Sequence, residues 1–258
     1  MTVRLTDWYG RLGNNIQQIA NAILIAKENE TNFTCPFHPN IEPFDVSFGD
    51  NSFDYQSKCF YWEGPYREVN LGTNFIYKHM REVCRDIIYP QLKIPDVKVD
   101  EDTLVIHIRS GDVFNQDLRN PEMYAPNPLY FYLELLKGFK RAIVVTENDD
   151  FNPIVRELSY RDKVAIQKGT VEEDFGILLG AKHLANSGVG TFGIAAALCS
   201  NKIKHFYCSP LAIGEHLNWT MLRQSDVSIQ LLQLPNYLKP GQWKNTDEQR
   251  QYILDYQA

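Results

Sequence analysis

Apolar residues recur at Ile16, Ile19, Ala20, Ile23 and Leu24, the spacing of one helix face, and predict a helix over about 15–28. A strand near 3–8 precedes it. Between them, Gly10 and Gly13 bracket Arg11, and Asn14 or Asn15 can cap the helix. Residues 31–58 are rich in Pro, Asn and Phe and show little period, and 59–63 is a candidate strand. A second helix is predicted over 73–89, where Phe75, Ile76, Met80, Val83, Cys84, Ile87 and Ile88 form one stripe. Pro90 and Pro95 then mark a domain junction.

From there the pattern alternates. Strands are predicted at 103–109, 142–146, 164–167, 183–186 and 203–208, and helices at 128–138, 152–158, 171–181 and 191–200. Repeated strand–helix units imply a parallel sheet covered by helices on both faces. The expected architecture is α/β, with two Rossmann-like domains facing a cleft. Residues 1–95 form the first domain and 96–234 the second. The polar tail, 235–258, is expected to pack its helix back on the N-terminal half.

Three segments carry candidate chemistry, each where a strand meets a glycine turn or a helix start. Residues 104–108 are apolar at nearly every position, as in a strand covered on both faces. His107 and Arg109 sit two apart at its end and so share a face. Ser110, Gly111 and Asp112 then break it. Ligands of open parallel sheets bind outside the carboxyl ends of strands, and an arginine fork matches a diphosphate. Near the start, the turn at 10–14 opens a helix, a place for phosphate or a sugar hydroxyl. Late in the chain, residues 182–193 end a short strand in Asn186, Ser187, Gly188, Gly190 and Thr191, and an Ala-rich helix follows. Its N–H groups and the hydroxyls of Ser187 and Thr191 are suited to cradle a diphosphate without metal.

In order and spacing these segments resemble the GDP-fucose-dependent fucosyltransferases of the α1,2/α1,6/protein-O-fucosyl superfamily, closest to the α1,2 type. The matching stretches are 10–14 (Gly-Arg-Leu-Gly-Asn), 107–112 (His-Ile-Arg-Ser-Gly-Asp) and 186–192, with Asp174 and Phe175 before the last. The likeness covers residues 1 to about 210. Ser110 stands where the family has a second arginine; the late motif carries extra glycines and lacks the usual tryptophan pair, with Gly193-Ile194 nearby instead. The chain is also short for the family.

The resemblance implies a GT-B-like glycosyltransferase moving L-fucose from GDP-fucose to a glycan hydroxyl, with inversion and without metal or other cofactor. The implied catalytic residues are Arg109, Asp112, Asn14 and Arg11. The implied nucleotide-sugar ligands are His107, Arg109, Gly13, Asp174, Phe175, Asn186, Ser187, Gly188, Gly190, Thr191 and Phe192, with the base near Asp174 and Phe175. Asp112 is the first choice of acceptor base, and Asp7 and Asp117 are alternatives. A xylose, rhamnose or galactose donor, or a binding module without turnover, are the other readings.

Composition narrows the rest. The chain of 258 residues has 26 basic and 32 acidic side chains, net charge −6, and no basic stripe of the kind that binds nucleic acid. No apolar run reaches the roughly 18 residues of a membrane span, and no signal peptide is visible, so a cytoplasmic location is expected. Five cysteines, an odd count without metal spacing, argue against a disulfide framework; Cys84 and Cys199 read as buried thiols. Sequons at Asn29, Asn32 and Asn218 read as chance. Residues 147–150 (Glu-Asn-Asp-Asp) read as a loop rather than a metal site, with Asp149 or Asp150 starting the next helix. Scattered histidines read as packed or surface side chains, and Tyr124, in a Pro-rich loop, as a residue able to line a sugar site.

Overall fold

A computed structural model describes residues 2–57, 69, 71–118, 124–211 and 219–258. The candidate strand at 59–63, Cys59, His216 and the sequon at Asn218 lie outside the described residues.

The first half holds β1 (Thr2–Leu5), α1 (Leu12–Glu28), β2 (Asn32–Thr34), β3 (Val46–Ser47) and β4 (Tyr55–Ser57). They form a sheet ordered β3-β2-β1-β4, with β1 parallel to β2 and β4, and β3 antiparallel to β2. α2 (Thr73–Glu82) was expected to run as one helix to residue 89. It instead widens into a π-turn at Val83–Ile88 and closes as a 3-10 turn at Tyr89–Gln91, where Pro90 has no N–H to continue it.

The second half holds β5 (Thr103–Ile108), α3 (Gly111–Phe114), α4 (Leu129–Leu136), β6 (Arg141–Thr146), α5 (Pro153–Ser159), β7 (Val164–Gln167), α6 (Val171–Gly180), β8 (His183–Ala185), α7 (Phe192–Cys199), β9 (His205–Cys208), β10 (Ser228–Leu231) and α8 (Asp247–Asp255). Its six strands are all parallel, in the order β10-β9-β8-β5-β6-β7. Every residue of β5 is buried, as the unbroken apolar run requires.

α1 is buried around nearly its whole circumference because it lies between β1 and α7. One apolar cluster therefore runs from Val3 and Ile19 through Met80 to Ile194 and Phe206, joining the layers of both sheets. Arg81 ties the same region: its buried fork donates to the carbonyls of Ala197, Leu198 and Ser200 at the end of α7. That fixes the axial position of α7, whose other end meets the candidate site.

The tail corrects the expectation that it packs on the N-terminal half. α8 lies on α4 and α5 instead. Trp243 is buried, donates to Val113 O at 3.0 Å and meets Phe114 edge-on. Ile253 and Tyr256 complete an apolar face that fits this side of the six-stranded sheet. Among the described residues no helix is long and apolar enough to cross a membrane. Cys84 and Cys199 are buried free thiols.

Candidate functional site

The strand order reverses between β5 and β8: β6 and β7 lie to one side, β9 and β10 to the other. In open parallel sheets, ligands bind at such a switch point, outside the carboxyl ends of the two strands. The segments after β5 and β8 are the two richest in candidate residues, and the β1–α1 turn meets them there.

Arg109 leaves β5 and bonds Asp112 Oδ1 through both Nε (2.9 Å) and Nη2 (2.6 Å). Its Nε also lies 3.3 Å from Glu147 Oε1, and Arg11 Nη2 lies 3.3 Å from that same oxygen. Glu147 Oε2 accepts from Ser110 N at 2.7 Å. One carboxylate thus holds two guanidinium groups and the turn that follows β5. Asp149 pins the rest of this turn, accepting from Ser110 Oγ at 2.5 Å and Gly111 N at 2.9 Å. Gly111 takes φ +40°, which a side chain would strain. Burial works against the charge on Arg109, but Glu147 and Asp112 overcompensate and hold its pKa up.

The segment 147–150 therefore departs from its expected role. Asn152, not Asp149 or Asp150, caps α5, accepting from Ile154 N and Val155 N. Glu147 is the residue missed by the sequence reading. Its importance depends on β5 and β6 being neighbours, which no local pattern reveals.

After β8, the loop to α7 is shaped from beneath. Asn127 Nδ2 donates to Asn186 O (3.0 Å), Asn127 N donates to Ser187 O (3.3 Å), and Ser209 Oγ donates to Asn127 Oδ1 (2.5 Å). Gly188 and Gly190 have φ +76° and +82°. A Cβ on Gly190 would first meet the Arg109 side chain, at 3.8 Å, so this backbone passes beside the guanidinium. Ser187 is buried and donates to Val189 O, a bond within the loop. Thr191 does not cap α7 with its side chain; its Oγ1 donates to Asn14 Oδ1 at 2.5 Å. Likewise neither Asn14 nor Asn15 caps α1, whose N-cap is Arg11 without a side-chain bond. A Cβ on Gly13 would lie 2.7 Å from Thr191 Oγ1 and 2.8 Å from Phe192 N, so the two helix N-termini touch at Gly13.

Arg11, Gly13, Asn14, Arg109, Asp112, Gly190 and Thr191 are thereby brought together. Others lie deeper. His107 is 4 % exposed, with its ring 5.5 Å from that of Phe192. Phe175 is fully buried and packs on Phe192. A Cβ on Gly193 would meet Asn186 Oδ1 and His107 Nδ1 together, so both side chains sit under the first turn of α7. Asp174 stands apart, after β7, accepting from Gly169 N (3.0 Å) and Gln167 Nε2 (3.2 Å). Burial raises its pKa against those two bonds. Tyr124 does border the group: burial raises its pKa, and Arg109, Asp112, Arg11 and Glu147 all act on it. Asp7 and Asp117 are exposed. Among the described residues no group of three His, Cys, Asp or Glu side chains is placed to hold a metal ion.

Burial lowers the pKa of His107 from 6.5 to about 4, with Glu147 opposing and Arg109 adding to the fall. Its imidazole is neutral at pH 7. Below about pH 6.5 the unfolded chain takes up a proton that the folded chain refuses, so this residue's contribution makes stability fall as pH drops toward about 4. Urea unfolding at pH 7 and pH 5 should show that fall, and His107→Gln should reduce it. An unchanged pH slope in the variant would mean that His107 does not titrate in this way.

No family profile and no curated protein sequence matches the chain. Among solved structures, the chain is similar to a crystal structure of POFUT1 in complex with GDP. The two are 11 % identical with a TM-score of 0.41, over 80 % of this chain and 97 % of the other.

Proposed function

We propose that the chain is a GT-B-like glycosyltransferase that moves L-fucose from GDP-fucose to a hydroxyl of a glycan, with inversion and without a metal. The observation that carries the transferase reading is the meeting of Arg109 and Arg11 on Glu147 at the switch point, beside the start of α7. Two guanidinium groups converging on one carboxylate oxygen form a place for an anionic oxygen of a diphosphate. The guanosine and fucose assignment rests on the motif resemblance.

The chemistry asks for charge control. The acceptor oxygen bonds to the anomeric carbon while the bond from that carbon to the diphosphate breaks, and the diphosphate keeps the electron pair. Arg109, Arg11 and the N–H groups of α7 stabilise that growing charge. Asn14 and Thr191 hold the facing helix starts in register. Neutral His107 and Asn186 support the first turn of α7 from below. Asp112 receives both Arg109 bonds and so aims the fork. The acceptor proton goes to a carboxylate: Asp112 is the first choice, and Asp7, exposed on the same loop as Arg11, is the alternative.

In this reading residues 1–95 face 96–234 across the donor crevice, and Asp174 accepts the paired N–H groups of guanine's edge. The test is calorimetric titration of GDP and UDP in excess chelator, on the native chain and on Asp174→Ala. GDP should bind more tightly. The variant should lose about ten- to a hundredfold in GDP affinity, the worth of hydrogen bonds to a charged group, and little in UDP affinity. Tighter UDP binding would overturn the fucose assignment and point to another nucleotide sugar. Turnover lost in chelator and restored by Mg²⁺ would overturn the metal-free mechanism. Donor binding with no transfer to any acceptor would leave a binding module.

A further inference from the structure

The loop between β1 and α1 is held rigid by buried polar groups, yet it directs aromatic rings outward. Gln18, fully buried, accepts from Tyr9 N at 2.9 Å and donates to Asp7 O at 3.2 Å. Asn15, also buried, donates to Tyr9 O at 3.2 Å. His38 Nδ1 accepts from Asn40 N, which leaves the ring proton on Nε2, directed to Asn15 Oδ1 at 3.1 Å. Trp8 Nε1 donates to Phe37 O at 2.8 Å, and the Trp8 ring meets the His38 ring edge-on at 4.7 Å. Two separate segments, around residues 7–9 and 37–40, are thus locked into one surface.

That surface presents Phe37 at 71 % exposure and Tyr9 at 50 %, with Trp8 half-buried between the two segments. Asp7 is exposed at its edge. Isolated exposed rings are ordinary. Here the Trp8 ring ties the two segments through the Phe37 carbonyl and the His38 ring, the Lys93 ammonium lies 5.7 Å from the Phe37 ring centroid, and two residues beyond Tyr9 the same turn delivers Arg11 to Glu147. Rings with only two side-chain torsions give contact area at low entropic cost.

We propose that Trp8, Tyr9 and Phe37 form a saccharide-binding shelf, the acceptor subsite of the transferase reading on which this inference rests. A pyranose has a face of C–H groups that lies against an aromatic ring and a rim of hydroxyls that needs acceptors. The exposed Asp7 carboxylate supplies a polar partner at the edge of the shelf. Its continuity with Arg11 sets a bound sugar beside the donor crevice. Neither Tyr9 nor Phe37 is assigned a part in holding the donor, so saccharide and GDP binding are read separately.

The test uses the full chain on an array of immobilised oligosaccharides of defined composition, with GDP titration alongside. The native chain should bind a subset of pyranosides. Phe37→Ala and Tyr9→Ala should weaken that binding tenfold or more with GDP affinity unchanged within about twofold, and Phe37→Tyr, which keeps the ring, should restore it. Saccharide binding unchanged in both alanine variants, or absent from the native chain, would overturn the proposal. So would self-association that Phe37→Ala abolishes, which would assign the shelf to a second copy of the chain. Failure of the native chain to bind GDP while it still binds sugars would remove the transferase reading and leave the shelf.

Discussion

Arg109→Lys is expected to lower donor turnover by roughly 10²–10³-fold, the range for loss of one preorganised donor to a developing anion. Lysine keeps a positive charge but gives up the planar fork. The fork is in use: Nε and Nη2 both reach Asp112 Oδ1, and Nε also neighbours Glu147. An ammonium has three N–H groups on a single nitrogen and lacks the fixed planar spacing with which Nε and Nη2 meet Asp112 and face a phosphate oxygen. Because the leaving diphosphate gains charge only as the bond breaks, GDP affinity should fall much less than turnover. If Arg109 were only half of an ion pair, the lysine variant would keep a charge beside Asp112 and cost almost nothing in rate. Folding of the variant is checked by circular dichroism. Near-normal turnover in a folded variant would remove Arg109 from the mechanism.

How far this site was legible depends on the distance over which each residue acts. β5 could be read because its apolar run is continuous and ends abruptly in His, Arg and Gly, a purely local signal. The βα alternation gave the all-parallel sheet for the same reason, although the strand order needed the fold. Glu147 could not be read. A carboxylate-rich loop before a helix looks like a cap, and only the pairing of β5 with β6 brings Glu147 to Ser110 and Arg109. Ser187 and Thr191 were expected to offer hydroxyls to a ligand, but these hydroxyls bond Val189 O and Asn14. The second of those bonds spans 177 residues. Phe175 matches a motif pattern, yet its ring is core. The tail misled because an amphipathic helix shows that it has an apolar face and does not show which surface will cover it.

The close approach of α1 and α7 carries the other large effect. Gly13→Ala would place a methyl group 2.7 Å from Thr191 Oγ1, 2.8 Å from Phe192 N and 2.9 Å from Phe192 Cα. Two of these atoms are backbone at a helix start, so no side-chain rotation relieves the contact. Alanine is the better helix former, by up to about 1 kcal/mol in a helix interior and less at a first turn. Overpacking of a filled contact costs about 1–3 kcal/mol, and the steric effect should win. For a chain of this size that is a fall of roughly 2–12 °C in melting temperature. The relief route is separation of the helix starts, which lengthens the bond from Thr191 to Asn14 and carries Arg11 away from Glu147. Donor affinity should therefore fall together with stability. Gly138→Ala is the control, since its Cβ would meet only Leu135 O at 3.6 Å, an ordinary contact. It should lie within about 0.5 kcal/mol of the native chain. Differential scanning calorimetry with and without GDP separates the two effects. A Gly13→Ala protein that melts like the native chain and binds GDP equally well would show that neither the fold nor the site depends on this contact between the helix starts.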